Sequence, residues 1–104
     1  MFSRTRRRRQ THTVPYLQDF FRTLSDAARL DILELLAASP QDLTVTDMAR
    51  QLCISQPLCS WHVRRLGKLG IVRIHRVGRE ARCSLDRARV AEFEQAFSNL
   101  LRGL

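Results

Sequence analysis

The sequence of 104 residues lacks any long apolar run, and its three cysteines form no Cys-x-x-Cys pair. A membrane-spanning helix needs about 18 to 20 apolar residues in succession, so no transmembrane segment is predicted. An odd number of cysteines at irregular spacing excludes a disulfide scaffold and favours a reducing compartment, so we expect a cytoplasmic location. The basic N-terminus is not followed by an apolar segment, and no secretory signal is expected.

Acidic residues are also scarce: ten Asp and Glu stand against eighteen Lys and Arg, which gives a formal net charge of +8. Five cations lie in the segment RTRRRR, residues 4–9, and nine more lie between Arg64 and Arg89. A basic excess in two separate regions favours a polyanionic partner, and nucleic acid is the usual one.

The sequence shows no nucleophile with a neighbouring base and no pair of carboxylates in a catalytic arrangement. We therefore expect neither an enzyme nor a bound cofactor. The length allows one domain with a modest core, and 44% hydrophobic residues is the balance of a folded protein.

Hydrophobic periodicity divides the chain into an arm and one folded domain. Residues 1–13 have no hydrophobic period and are predicted to form a flexible basic arm, whereas residues 14–104 are predicted to fold. Four helices are expected first, from apolar residues at helical spacing and from capping residues at helix starts. The second helix has a cap at Ser25 and Asp26, the third at Thr46 and the fourth at Ser55.

The last third of the domain changes period. The alternating runs IVRIHRV and ARCSL surround the turn GRE and predict a β-hairpin, and Asp86 is placed to cap a final helix. The predicted fold is mainly α with a small β-hairpin, in the order α-α-α-α-β-β-α. Two short helices joined tightly and followed by a basic hairpin are typical of a winged helix-turn-helix.

The fourth helix, QPLCSWHVRRLGK, has two distinct faces. At about 100° per residue, Cys59, Val63 and Leu66 share one side and are expected in the core, with His62 at its edge. The opposite side mixes polar, aromatic and cationic side chains that suit the major groove of double-stranded DNA. The predicted DNA contacts are Ser55, Gln56, Pro57, Ser60, Trp61, Arg64, Arg65 and Lys68 around this helix, with Arg76 and Arg79 on the hairpin.

The segments LSDAARLDILELLA and SQPLxSWHxRRLxxxGxVRxxRxGRE resemble the ArsR/SmtB family of bacterial winged-helix repressors, over about residues 17–104. The resemblance implies a homodimeric regulator that binds an inverted repeat at a promoter and releases it when an inducer arrives. The inducer itself is not predicted. The resemblance also implies a dimer interface built from the first and last helices, here at Leu17, Phe20, Phe21, Phe93, Phe97, Leu100 and Leu101.

Two places where members of this family bind metals lack suitable ligands in this sequence. Thr44 and Thr46 stand where thiolates would be needed, and hydroxyls are poor ligands for soft metals. The last helix contains no histidine. No metal site is therefore expected.

Two alternatives remain open at this point. One is a repressor that responds to thiol oxidation or metal through Cys53, Cys59 or Cys83, although Cys53 and Cys59 lie about 240° apart in helical phase. If the cysteines do not act as sensors, they are structural, and the small thiol of Cys59 takes the place of an aliphatic side chain in the core. The other is a winged-helix module that binds a protein, instead of DNA, through the basic arm and Trp61.

Overall fold

The computed structural model describes residues 13–103. The predicted basic arm of residues 1–13 lies outside the described residues, apart from Thr13, where the first helix begins. The elements in chain order are α1 (Thr13–Leu24), α2 (Ala27–Ala38), β1 (Leu43–Thr44), α3 (Val45–Leu52), α4 (Gln56–Leu69), β2 (Val72–Val77), β3 (Glu80–Leu85) and α5 (Arg87–Leu101). This order confirms the predicted mainly α, winged helix-turn-helix architecture.

One strand was not predicted. The two residues of β1 pair antiparallel with β3, with Leu43 opposite Cys83 and Thr44 opposite Arg82, so the sheet has the order β1-β3-β2. A strand of two residues is too short to show an alternating pattern, and only its pairing partner defines it. β1 lies beside the middle of β3 and leads directly into α3.

Helix capping confirms three predictions and corrects a fourth. The side chains of Asp26, Ser55 and Asp86 accept hydrogen bonds from the first-turn amides of α2, α4 and α5. The cap of α3 is Thr44, because its Oγ1 accepts from the amide of Asp47 at 3.0 Å. The prediction of Thr46 was wrong: Thr44 is still extended, with φ −82° and ψ 155°, and the helix turns immediately after it.

The hydrophobic core lies between the helices and the inner face of the sheet. Cys59, Val63 and Leu66 are buried on one side of α4, as their spacing predicts. Ile32, Met48 and Phe93 are the largest buried side chains that α2, α3 and α5 add to this core. None of the helices between Thr13 and Leu101 has the length and apolar character needed to cross a membrane.

Candidate nucleic-acid interface

A tight turn joins α3 to α4 and sets the angle between them. α3 ends at Cys53, which adopts the left-handed conformation with φ 57° and ψ 42°. The amide of the next residue, Ile54, donates to the carbonyl of Ala49 at 3.1 Å, and Ser55 then caps α4. A left-handed residue ends one helix, and a polar cap begins the next.

The predicted DNA-contact residues all reach the surface. Nine of the ten are exposed and Ser60 is half-buried, which is consistent with the outward face assigned to α4. Within this set the structure brings Ser60 and Arg64 into contact, because Nη1 of Arg64 donates to Oγ of Ser60 at 2.9 Å. The guanidinium of Arg64 is therefore oriented before any ligand arrives.

Three of the nine cations between Arg64 and Arg89 pair with carboxylates inside the protein, and a fourth, Arg87, donates to a backbone carbonyl. Arg73 pairs with Asp86 at 3.4 Å, Arg82 with Glu80 at 3.2 Å and Arg89 with Glu92 at 2.7 Å, and Arg87 donates to the carbonyl of Ala37. The amide of Arg89, the guanidinium of Arg73 and the amide of Ala88 lower the pKa of Asp86. These four cations stabilise the fold locally.

The other five have no carboxylate within 4 Å among residues 13–103. We call them the cation set: Arg64, Arg65, Lys68, Arg76 and Arg79. All five are exposed, and all five belong to the predicted DNA contacts. A cation without a carboxylate partner keeps its charge available to an external anion, so the cation set defines the electrostatic footprint of a polyanion.

The hairpin of β2 and β3 carries two members of the cation set at its far end. Val77 pairs with Glu80, so Gly78 and Arg79 form a two-residue turn. Gly78 has φ 63°, whereas Arg79 does not have a positive φ. A positive φ at the first turn residue only is the pattern of a type II′ hairpin turn, which requires glycine there. In β2 only Val72 is buried, so this wing projects from the domain.

A buried arginine beneath α4 was missed in the sequence. Arg29 of α2 is only 6% exposed, and its Nε donates to Nδ1 of His62 at 3.1 Å. Its Nη1 donates to the carbonyl of Thr23 at 3.0 Å, and its Cζ lies 4.9 Å from the centroid of the Trp61 ring. A signal existed in the spacing, because Arg29, Ile32 and Leu36 share the buried face of α2 at i, i+3 and i+7.

The predicted dimer residues fall into two groups. Leu17 and Phe93 are buried in the protomer, and the Phe20 ring stacks on Phe93 at 4.1 Å, so these side chains belong mainly to the protomer's own core. Leu100 is half-buried beside them. The exposed members are Phe21, Phe97 and Leu101, the last of these 71% exposed.

The three cysteines differ in their access to solvent. Cys53 is exposed, whereas Cys59 and Cys83 are fully buried. Burial raises the pKa of both inner thiols, that of Cys83 to about 11 with further contributions from Cys59 and Asp42. Since the thiolate is the reactive form, both inner thiols are held in their unreactive state. In the part of the chain that is described, no cluster of three or more His, Cys, Asp or Glu side chains is arranged to hold a metal ion.

Comparison with known proteins agrees with this geometry. A family model described as winged helix-turn-helix DNA-binding matches residues 25–73, which contain α2 to α4 and the start of β2. A search of curated proteins found no match.

Solved structures extend the likeness over most of the chain. An ArsR-like transcriptional regulator from Rhodococcus sp. RHA1 is 27% identical with a TM-score of 0.72, over 85% of this chain and 81% of that one. The antimony-specific transcriptional repressor AntR is 26% identical with a TM-score of 0.60, over 79% and 74%. A homodimeric winged helix-turn-helix domain from Mycobacterium bovis has the same fold at 19% identity, with a TM-score of 0.65 over 94% and 87%.

The fold, the outward face of α4 and the basic wing define a winged helix-turn-helix DNA-binding protein. Within that class, the solved structures that the chain matches include ArsR-family transcriptional regulators, the family that its sequence resembles.

Proposed function

We propose that this chain is a homodimeric repressor that binds an inverted-repeat operator in double-stranded DNA. The observation that carries the proposal is the cation set, in which every member lies on α4 or the wing and has no carboxylate partner among the described residues. Pairing with Asp86, Glu80 and Glu92 offsets the charges of Arg73, Arg82 and Arg89. The charge that remains is therefore concentrated where a winged helix-turn-helix contacts DNA.

The roles within the interface follow from side-chain chemistry. Gln56, Ser60, Trp61 and Arg64 lie on the outer side of α4 and are assigned to base edges in the major groove. Among these residues, Arg64 is the one best suited to recognise a specific base, because a guanidinium forms two hydrogen bonds with O6 and N7 of guanine. Its bond to Ser60 lowers the entropy lost when it binds.

The remaining contacts position the protein on the duplex. Ser55, Pro57, Arg65 and Lys68 are assigned to the sugar-phosphate backbone beside α4, and Arg76 and Arg79 reach it from the wing. Contacts of this kind carry most of the salt-dependent affinity and little sequence information.

Dimerisation is assigned to the exposed apolar side chains of α1 and α5. The rings of Phe21 and Phe97 meet edge to face at 5.2 Å between centroids, and Leu101 extends the same apolar character at the end of α5. The homodimeric winged helix-turn-helix domain from M. bovis supports a homodimer, without identifying its interface. A two-fold dimer presents two α4 helices, so the operator is expected to be a palindrome with half-sites spaced by about 34 Å, one helical turn.

The DNA-binding part is tested with duplexes selected from a random pool by the full chain. Arg64→Ala is expected to lose roughly 10-fold or more in affinity and to relax the preference at one base position. Arg102→Ala, at the exposed end of α5, is the matched control and is expected to bind normally. Unchanged affinity and unchanged base preference in Arg64→Ala would defeat the assignment. Failure to retard any duplex would leave the protein-interaction module as the better description.

The dimer is tested separately by sedimentation equilibrium of the free protein. Leu101→Glu is expected to shift the chain toward the monomer, because it places a charge on the exposed apolar surface. Glu94→Gln, on the exposed part of the same helix, is the control and should leave the association unchanged. A variant that remains as dimeric as the parent chain contradicts the assignment of this surface.

A thiol-responsive form of the same repressor is favoured by one observation, the exposure of Cys53 at the turn before α4. Oxidation there would alter the residue that joins the two helices of the motif. DNA release on mild oxidation that disappears in Cys53→Ser would establish this form. Equal DNA affinity before and after oxidation would exclude the thiol-responsive form.

A further inference from the structure

We propose that Trp61 reads thymine, by contact of its indole ring with the C5-methyl group in the major groove, and that Arg29 holds the ring in place for this contact. The inference rests on the proposed DNA-binding function and names the base feature that one residue recognises. Thymine is the one base whose major-groove edge presents a methyl group. An apolar side chain on the outer face of α4 can therefore distinguish thymine from the other bases by contact with this methyl group.

The Trp61 ring is partly exposed and has side chains of three other residues close to it. The residue is 42% exposed, and two buried neighbours, Arg29 and His62, lie close to its ring. The guanidinium carbon of Arg29 lies 4.9 Å from the ring centroid, and that of Arg65 lies 5.6 Å away. A ring held at two contacts loses little rotamer entropy on binding, which favours specific recognition.

Arg29 is suited to this positioning because its charge is not used elsewhere. Its two hydrogen bonds go to neutral acceptors, Nδ1 of His62 and the carbonyl of Thr23. No carboxylate within residues 13–103 lies within 4 Å of it, and the side chain is buried. A desolvated guanidinium without a counter-ion is attracted to an aromatic face more strongly than a solvated one.

The surroundings of the ring combine an apolar wall with cations. Trp61 lines a cleft of about 500 Å³ between α4 and β2, whose apolar lining includes Val72 and the partly exposed Ile74. Gly67 keeps Ile74 close to the helix, because a Cβ there would lie 2.8 Å from Cδ1 of Ile74. Arg64, Arg65 and Lys68 complete the lining. Cations at the edge suit phosphates, and the apolar wall beside Trp61 suits a methyl group.

The experiment removes single methyl groups from the DNA. In a duplex selected by the full chain, each thymine is replaced in turn by uracil, which differs only by the C5-methyl. The parent chain is expected to lose about fourfold in affinity at one position of each half-site, the effect of one buried methyl group. Trp61→Ala is expected to bind more weakly and to show equal affinity for thymine and uracil there. Ser60→Ala is the matched control: it should lose affinity and keep the fourfold preference.

The positioning role of Arg29 is measured with the same pair of duplexes. Arg29→Lys is expected to reduce the thymine preference, because an ammonium does not reproduce the planar contacts of the guanidinium. Trp61 is the single tryptophan of the chain, so its fluorescence reports the change in ring environment directly. An altered emission spectrum with unchanged circular dichroism separates positioning from unfolding. An unchanged spectrum and a retained preference would overturn this role.

The same binding measurements distinguish an incorrect thymine contact from an absence of DNA binding. If uracil is tolerated at every position while Arg64→Ala still weakens binding, the thymine contact is wrong and DNA binding stands. If Trp61→Ala keeps the fourfold preference, another residue reads the methyl group. If the chain retards no duplex, both proposals are wrong.

Discussion

Arg29 and His62 are 33 positions apart in the sequence, and Nε of the first donates to Nδ1 of the second at 3.1 Å. The bond joins α2 to the inward side of α4, and both side chains are almost fully buried, at 6% and 4% exposure. It therefore links the scaffold to the helix whose outer face carries the predicted DNA contacts. A buried polar bond of this kind specifies one orientation of the two helices, because each group loses its partner in any other orientation.

Removing this link is expected to cost stability. Arg29→Met keeps much of the volume but leaves Nδ1 of His62 and the Thr23 carbonyl without their donors, which costs about 2 to 3 kcal/mol of unfolding free energy. Urea denaturation measures the change. Arg50→Met removes an exposed arginine from its pair with Asp47 and should stay within about 0.5 kcal/mol of the parent. Equal losses in the two variants would contradict the role of Arg29.

The start of α3 offers a test with two neighbouring threonines. Thr44→Ala removes the side chain that caps the helix and is expected to cost about 1 kcal/mol. Thr46→Ala changes an exposed side chain inside the helix and should cost little, since alanine is the better helix former. Thermal or urea unfolding compares the two. A larger loss at Thr46 would mean that the helix begins two residues later than the structure places it.

The wing is expected to contribute through charge alone. Replacing both Arg76 and Arg79 by alanine should reduce the slope of log affinity against log salt by roughly 2, about one for each lost phosphate contact. Base preference in the major groove should persist, because α4 is unchanged. Arg22→Ala, an exposed arginine paired with Asp19 on α1, should leave the slope as it is. An unaltered slope in the double variant argues against wing contacts with phosphates.

The buried thiols predict a loss of stability at high pH. The pKa of Cys83 rises from 9.0 to about 11 in the folded chain, with desolvation as the main cause. Below pH 9 both states hold the proton, and between pH 9 and 11 the unfolded chain releases it first. The unfolding free energy therefore falls with rising pH over this window, by at most about 1.4 kcal/mol per pH unit for one group.

Two measurements check this prediction. Urea denaturation at several pH values should give a shallower decline for Cys83→Ala than for the parent chain, even if the variant is less stable throughout. Thiol titration at neutral pH should find one rapidly reacting group, Cys53, and two that react only after denaturant is added. Three thiols reacting at one rate in the folded chain would contradict the assigned burial.

Most of the fold could be predicted from signals between residues that are close together in the sequence. Helical spacing of apolar residues, together with a capping residue for α3, predicts the five helices, and alternation around Gly78 predicts the hairpin, because periodicity reports which side of an element is buried. The caps at Asp26, Ser55 and Asp86 were also predicted, since a cap depends on a side chain and an amide two or three residues away. The outward side of α4 follows from the same spacing.

What local signals did not reveal depends on partners distant in the chain. β1 exists because Leu43 and Thr44 pair with residues some forty positions later, and that pairing also moves the cap from Thr46 to Thr44. The burial of Arg29 depends on His62, which lies in another helix. Charge counting likewise does not distinguish Arg73 from Arg76, yet Asp86 pairs with the first.

The sequence by itself determined that this chain forms a winged helix-turn-helix with a basic face. The spacing of apolar residues and the capping residues depend on positions close together in the chain, and net charge depends on composition alone. The tertiary structure decided which cations remain without carboxylate partners in the described residues and which side chains support Trp61 from beneath. Those features arise only when α2, α4 and the sheet are brought together, since ion pairs and buried hydrogen bonds require atoms within about 3 to 4 Å of each other.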